Sequence, residues 1–409
     1  MQVYLVGGAV RDRLLGLPAR ERDWVVVGAD PQELERQGYL PVGREFPVFL
    51  HPKTREEYAL ARLERKVGPG YRGFVTQFSA DVTLEEDLKR RDLTINAMAE
   101  DANGTLIDPF GGQRDLEARV LRHVSAAFVE DPVRILRVAR FAARFARLGF
   151  SVAPETNALM RAMVESGEVS ALVPERVWQE TERALGEAEP QVFFEVLRAC
   201  GELALIFPEI DALYGVPQPA RWHPEIDTGV HTLMALHCAA QLSDSPAVRF
   251  ATLVHDLGKA RTPPELWPSH RGHEEVGVAL IGALATRLRV PNAFRDLSVI
   301  VARQHGLVHR ALELRPATVL KLLEECDALR RPQRFTDVLL ACEADARGRG
   351  GLGERPYPQA AYLQKALEAA ARVALSQEEH TSLTGAAIGA RLREKRIEAL
   401  TALKDAYKE

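Results

Sequence analysis

Val3-Tyr4-Leu5-Val6-Gly7-Gly8-Ala9-Val10-Arg11-Asp12-Arg13-Leu14-Leu15-Gly16, with Glu21-Arg22-Asp23-Trp24-Val25-Val26-Val27 close behind, sets the architecture of the N-terminal part of this chain. The short apolar run at Val3–Val6 has the length of a strand, and it stops at two glycines where the backbone can turn sharply and let a ligand approach. From Ala9 to Leu15 the apolar spacing is helical, and Gly16 followed by Pro18 ends the helix. The N–H groups at that helix start, with Arg11 in the first turn, favour an anion such as a phosphate at Gly8. Glu21–Val27 is rich in β-formers, and period-2 alternation puts Glu21 and Asp23 on one strand face, about 7 Å apart along the chain. Two carboxylates so placed can hold Mg²⁺ on a triphosphate.

Working outward, Pro31–Gln37 reads as a short helix, and Pro47–Leu50 and Glu57–Ala61 as β-like runs. The stretch from Arg65 to Phe78 is broken by Gly68-Pro69-Gly70-Tyr71-Arg72-Gly73 and reads as a mobile flap over a nucleotide site. Asp81–Ala99 carries a helical pattern. Beside a phosphate cradle, its Arg91 is a candidate triphosphate clamp, and Asp92 and Asn96, at i and i+4, are placed to hold that arginine or a sugar. Asp108-Pro109-Phe110-Gly111-Gly112 is a turn cluster that ends the first domain.

Glu130-Asp131-Pro132 signals a helix start, with acid at the cap and proline at the first position. Arg134, Arg137 and Arg140 then recur on one side and Ile135, Leu136, Ala139 and Ala142 on the other, which points to an anionic partner. Asp131 and Arg134 lie one turn apart, so an acceptor and a donor can face the edge of one base. Cytosine and adenine each offer an exocyclic amine beside a ring-nitrogen acceptor and match that pair. Guanine and uracil do not, and leave polar groups unmade. From Gly149 to about Pro217 the pattern is helical, with Arg176 and Glu180 at i, i+4 reading as a surface pair. Further on, His231, His255-Asp256, His273 and His305 recur, and the adjacent imidazole and carboxylate of His255-Asp256 suit a divalent transition metal. After about Gly350 the chain reads as helices without a chemical motif.

The opening unit resembles the nucleotidyltransferase superfamily of the DNA polymerase β type. Gly7-Gly8-Ala9-Val10-Arg11-Asp12 is similar to the signature of the class II tRNA nucleotidyltransferases, the CCA-adding enzymes. Leu88–Ala97 resembles that family's second motif, and Glu130-Asp131-x-x-Arg134-x-x-Arg137-x-x-Arg140-Phe141 its templating helix. Arg176-x-x-x-Glu180 resembles a motif that braces the site. One position departs: the family carries Asp-x-Asp on the second strand, and here the first acid is Glu21. The later histidines resemble the HD phosphohydrolase domain, whose His…His-Asp…Asp pattern falls on His231, His255, Asp256 and Asp345.

The resemblance implies an α+β fold: a polymerase β-like head of small sheet plus helices, followed by an all-α neck, body and HD domain. The boundaries would be head 1–127, neck and body 128–217, HD domain 218–350 and helical tail 351–409. It implies template-free addition of CCA to the 3′ end of tRNA from CTP and ATP, with Mg²⁺ on Glu21 and Asp23. It also implies 2′,3′-cyclic phosphodiesterase, 2′-nucleotidase and phosphatase activity in an HD domain holding a divalent transition metal, with Ni²⁺ a candidate. The rivals are a bacterial poly(A) polymerase, or a nucleotide- and RNA-binding regulator with an inactive head.

With 409 residues, 46% of them hydrophobic, the chain can build two or more cores. No run approaches the ~20 apolar residues of a membrane span, and no secretory leader is evident, so a cytoplasmic enzyme, monomer or homodimer, is expected. The four cysteines, Cys200, Cys238, Cys326 and Cys342, are scattered and read as buried thiols. A net charge of −4 leaves RNA binding to a local basic surface.

Overall fold

The computed structural model describes residues 1–18, 21–42, 48–66 and 74–407, which divide into two compact units, Met1–Leu205 and Ile206–Glu409. In the first unit, β1 (Gln2–Val6) runs into α1 (Gly8–Leu14) and returns through β2 (Asp23–Val27). These strands pair antiparallel with Val6 opposite Asp23, so the register sets that carboxylate beside the Gly7 turn. After α2 (Pro31–Arg36) come β3 (Leu40–Val42), β4 (Val48–Leu50) and β5 (Glu57–Leu60). A separate ribbon of β6 (Arg62–Lys66) and β7 (Phe74–Phe78) follows, then α3 (Leu84–Lys89), β8 (Ala99–Glu100) and β9 (Leu106–Ile107). The seven-stranded sheet has the order β3-β4-β5-β2-β1-β8-β9. Only β2 and β5 pair in parallel within it.

Both faces of the sheet are covered. Val25 joins Val6, Leu88 and Ala97 in one cluster, while Val26 joins Leu34, Phe49 and Leu60 in another. Successive side chains point to opposite faces, so a strand buried on both needs an unbroken apolar run, as at Val25-Val26-Val27. Next come α4 (Gly112–Glu117), β10 (Val120–Leu121) and α5 (Val133–Phe145). They are followed by β11 (Ser151–Val152), α6 (Pro154–Glu165), α7 (Pro174–Leu185), α8 (Pro190–Cys200) and α9 (Glu202–Ile206). α5 packs on α7 and α8 through Ile135, Leu136, Val138, Ala139 and Ala142, all buried.

The second unit is helical: α10 (Pro208–Asp211), α11 (Thr228–Leu242), α12 (Pro246–Val254), α13 (His273–Arg287), α14 (Asn292–His309), α15 (Pro316–Glu325), α16 (Pro332–Arg347), α17 (Pro358–Ala371), α18 (Gln377–Ser382) and α19 (Ala386–Ala406). Its main core draws on α12, α14, α15, α16, α17 and α19, from Val248 to Leu400. All four cysteines are free and buried, as read from the sequence. Among the described residues no helix is long and apolar enough to cross a membrane.

Three local expectations need correction. Glu21 precedes β2, which begins at Asp23, so the two acids do not share a strand. The helix read over Asp81–Ala99 stops at Lys89, with Leu93 extended and a 3-10 turn at Thr94–Asn96. The Asp92 carboxylate accepts from the Leu93 N–H at 2.8 Å, and such local side-chain bonds compete with the helical ladder. The arginine helix begins at Val133, one residue past the expected proline, with Asp131 accepting from the Val133 N–H at 3.1 Å. The glycine-rich stretch from Gly68 to Gly73 lies outside the described residues.

Candidate functional site

One cleft of about 800 Å³ in the first unit gathers Gly8, Arg11, Glu21, Asp23, Arg91, Asp92, Asn96, Asp131, Arg134, Arg137 and Arg140. Every head and neck site residue read from the sequence therefore borders the same space. Gly7 turns the chain with φ +69°, and a side chain there would meet Arg91 Nη1 at 2.8 Å, so the glycine leaves room for that guanidinium. Glu21 and Asp23 open to the solvent-filled cleft. Enclosure raises the Asp23 carboxyl, Arg91 lowers it and Glu21 raises it further, for a net rise above the ordinary carboxylate range. Two acids at the mouth of a cleft otherwise rich in arginine form a donor set of oxygens that fits a hard divalent cation.

Behind the acids runs a buried polar chain. Arg11 donates to Asp12 at 2.8 Å and to Asn96 Oδ1 at 2.5 Å; Asn96 donates to Asp92 at 3.0 Å, and Arg137 donates to Asp92 at 2.7 Å. Arg144 closes the loop, 2.9 Å from Asp12. Burial would raise the Asp92 carboxyl, but Arg137, Asn96 and the Leu93 N–H outweigh it and hold it well below its ordinary value. Arg91 reaches Asp87 at 3.3 Å, and Arg90 reaches it at 2.7 Å.

Asp131 and Arg134 border the cleft, and the Arg134 backbone N–H donates to the Asp131 carbonyl at 3.0 Å. Arg134 donates to the carbonyls of Ala127 at 2.6 Å and Arg90 at 2.7 Å. Arg176 grips both Asp131 oxygens, at 3.2 and 2.9 Å. Glu180 accepts from Arg140 at 2.6 Å with both side chains buried. The expected Arg176–Glu180 surface pair is thus replaced by two separate links from α7, to Asp131 and to α5. Sequence reasoning missed Asp12, Asp87, Arg144, Arg176 as a lining residue, Arg183 and Glu187. Arg144 continues the helical spacing of Arg137 and Arg140 and was discoverable by extending it.

In the second unit, His231 of α11, His255-Asp256 after α12 and Asp345 of α16 converge. His231 Nε2 lies 3.0 Å from Asp345 Oδ1, and His255 Nε2 lies 3.1 Å from Asp256 Oδ2 and 3.6 Å from Asp345 Oδ2. His255 Nδ1 is 2.7 Å from the Thr252 carbonyl, which turns Nε2 toward the carboxylates. Burial would lower His255, but Asp256 and Asp345 raise it to about 9, so a proton fills the role open to a cation. A mixed nitrogen and oxygen set of this kind fits a divalent transition metal. Glu225 Oε1 backs His231 Nδ1 at 3.0 Å and His223 Nδ1 at 3.1 Å. Lys259 reaches Asp256 at 2.6 Å, and His309 reaches Asp345 at 2.6 Å. Neither Glu225 nor His309 was singled out from sequence. Gly258 makes the packing possible, because a Cβ there would lie 1.9 Å from the His273 carbonyl oxygen.

Comparison with known proteins gives three family matches along the chain. Residues 3–122 match the Poly A polymerase head domain family, 149–214 the family described as the probable RNA and SrmB-binding site of polymerase A, and 228–347 the HD domain. The chain is 66% identical over 404 residues to the Multifunctional CCA protein of Thioalkalivibrio sulfidiphilus, covering 99% of each. It is 65% identical over 400 residues to that of Nitrosococcus oceani, covering 98% of each. Among solved structures, it is similar in fold to a CCA-adding enzyme in complex with CTP. That match has a TM-score of 0.64 at 23% identity and covers 98% of this chain and 87% of the other.

Proposed function

Because the chain belongs to the family of multifunctional CCA proteins, we propose that it builds and repairs the 3′-terminal CCA of tRNA from CTP and ATP without a nucleic-acid template. The single observation that carries this reading is the convergence of Glu21, Asp23, Arg11, Arg91, Asp131 and Arg134 on one cleft. In the reaction, the 3′-hydroxyl oxygen of the RNA bonds to the α-phosphorus of the incoming nucleotide. The bond from that phosphorus to the bridging oxygen breaks, and pyrophosphate leaves. Glu21 and Asp23 would hold Mg²⁺, which when bound supplies acidification of the hydroxyl and neutralisation of the triphosphate. Gly7 and Gly8 let the phosphates approach the backbone, and Arg91 and Arg11 set positive charge beside them. Asp131 and Arg134 read the base. Arg176 fixes the first, and the Ala127 and Arg90 carbonyls fix the second, so the reading groups are held in place before a nucleotide arrives.

For the helical unit, the reading is an HD phosphohydrolase that acts on 2′,3′-cyclic nucleotides, 2′-nucleotides and phosphate monoesters. His231, His255, Asp256 and Asp345 would hold a divalent transition metal, with Ni²⁺ the first to test. The division into head 1–127, neck and body 128–217, HD domain 218–350 and tail 351–409 belongs to this proposal, as does a cytoplasmic location among tRNA substrates.

The test is purified protein with tRNA lacking its CCA end and labelled CTP and ATP. Ordered C-C-A addition supports the reading, whereas A-tailing or binding alone refutes it. Asp23→Ala abolishes addition in this scheme, and His255→Ala removes hydrolysis of 2′,3′-cyclic AMP while addition continues.

A further inference from the structure

Trp222 is 50% exposed, and the function proposed for the helical unit leaves it without a task. It lies in the turn that leads into α11, where Arg221, Trp222, Pro224 and Ile226 are exposed and His223 is buried. The His223 ring packs edge-on against His231, with centroids 4.6 Å apart, and both imidazoles lie against Glu225. The turn forces Ile226 to φ +61°, a left-handed value that a β-branched residue seldom adopts. The Ile226 N–H donates to the His223 carbonyl at 2.9 Å, and its own carbonyl accepts from the Gln218 N–H at 2.7 Å. Strain of this kind persists only where the surrounding structure imposes it, and it gathers at ligand sites. A turn that tucks His223 and Glu225 inward holds Trp222 outward.

Two contacts show what chemistry that indole offers. The Arg221 guanidinium carbon stands 4.7 Å from the centroid of the Trp222 ring, so a planar cation covers one face. Arg349 donates to the Trp222 carbonyl at 3.4 Å and, through its second terminal nitrogen, to Asp345 Oδ1 at 3.4 Å. One guanidinium therefore separates the Trp222 backbone from a carboxylate of the proposed hydrolytic centre, a gap that a nucleoside with its phosphate at one end and its base at the other can bridge. An isolated apolar residue on a surface calls for no explanation. An aromatic ring backed by arginine, beside a site for phosphate esters, has the makings of a base-stacking platform.

We propose that Trp222, with Arg221 on its face, is the base-binding element of the hydrolytic site in the helical unit. The base of a 2′-nucleotide or 2′,3′-cyclic nucleotide stacks on the indole, and its phosphate lies toward Asp345. The proposal rests on the hydrolase reading and adds substrate selection to it. Nucleotides are preferred over phosphate esters that carry no ring, with little choice among bases, because every base has a π-face.

The test compares hydrolysis of 2′,3′-cyclic AMP with that of glycerol 2-phosphate, an ester without a base, by the full-length chain. In Trp222→Ala, the ratio of the two kcat/KM values should fall roughly 5–150-fold, the range for losing one base-stacking aromatic. The fall should come through KM for the cyclic nucleotide more than through kcat, and Trp222→Phe should restore most of it. Binding supplies a second readout: adenosine 2′-monophosphate should quench the tryptophan fluorescence of the parent, and the quench should be lost in Trp222→Phe. An unchanged ratio in Trp222→Ala, or an equal loss on both esters, overturns the platform and leaves the hydrolase. A parent chain that hydrolyses neither ester overturns the hydrolase reading and the platform with it.

Discussion

Glu180→Ala is expected to destabilise the first unit by roughly 3–5 kcal/mol, the loss that follows when one partner of a buried ion pair is removed. The structure supplies each part of that figure. The Arg140 and Glu180 side chains are 9% and 6% exposed and meet at 2.6 Å, so solvent screens the pair little. The nearest other carboxylate, Glu187, is 3.9 Å from Arg140 and is no equal substitute. With a urea dependence of about 2 kcal/mol per molar, the unfolding midpoint should fall by about 1.5–2.5 M. Trp178 sits on the same helix, 6% exposed, and its fluorescence reports the transition locally. Glu180→Gln keeps the shape and one hydrogen bond and should cost less. Arg140→Met combined with Glu180→Leu should recover most of the stability, because apolar replacement of a buried pair is often neutral. The double variant should still be poor in nucleotide addition, since the cleft has lost a guanidinium. A Glu180→Ala midpoint equal to the parent's, or a double variant no more stable than Glu180→Ala alone, would refute the reasoning.

Asp131→Ala and Arg134→Ala should each reduce discrimination against UTP and GTP by roughly 1–3 kcal/mol, a factor of about 5–150; full fidelity in single-nucleotide incorporation assays would place base reading elsewhere. Glu21→Asp, assayed beside the parent with Mg²⁺ and with Mn²⁺, should change the rate by less than about tenfold, because both acids offer the same oxygens. Activity only in the Asp variant would mark Glu21 as disabling. Because the folded Asp92 carboxyl is lowered, its stabilisation is complete above its unfolded value of about 4 and drains away as pH falls toward the folded one. Asp92→Asn should therefore flatten the acid limb of the urea midpoint against pH, and an unchanged limb would count against the Arg137–Asp92 link. Gly258→Ala forces a Cβ into the His273 carbonyl at 1.9 Å. It should lower cyclic-nucleotide hydrolysis at least tenfold, and near-parental hydrolysis would show that this packing does not place the metal ligands.

The strand, turn and helix of the head were legible because Gly7-Gly8 and the valines of β2 obey local rules. Period-3 arginines likewise located α5. Partnerships were not legible in this way. The spacing of Arg176 and Glu180 fits a pair equally well as two links to distant residues, and only tertiary packing sends one to Asp131 and the other to Arg140. The overcalled helix through Arg91 failed because Asp92 turns its side chain onto its own backbone, a choice that propensity cannot see. In the helical unit, the adjacency of His255 and Asp256 marked a candidate metal-ligand pair. Glu225 and His309 carry no such signature, since each matters only through the group it touches.

The arginine-lined cleft also has a consequence for how substrates are captured. Ten arginines and six carboxylates border it, an excess of four positive charges inside a chain whose total is −4. Seen from several Debye lengths away, the molecule is a weak anion that polyanions have no reason to approach; within about 10 Å of the cleft mouth the sign reverses. Attraction at the cleft mouth thereby draws an anion to the place where the site residues converge. Salt then acts on two opposed quantities: it relieves the general repulsion and weakens the local pull. Encounter rates for a small triphosphate and for a whole tRNA should consequently respond differently to ionic strength, the triphosphate following the cleft and the tRNA the balance of both.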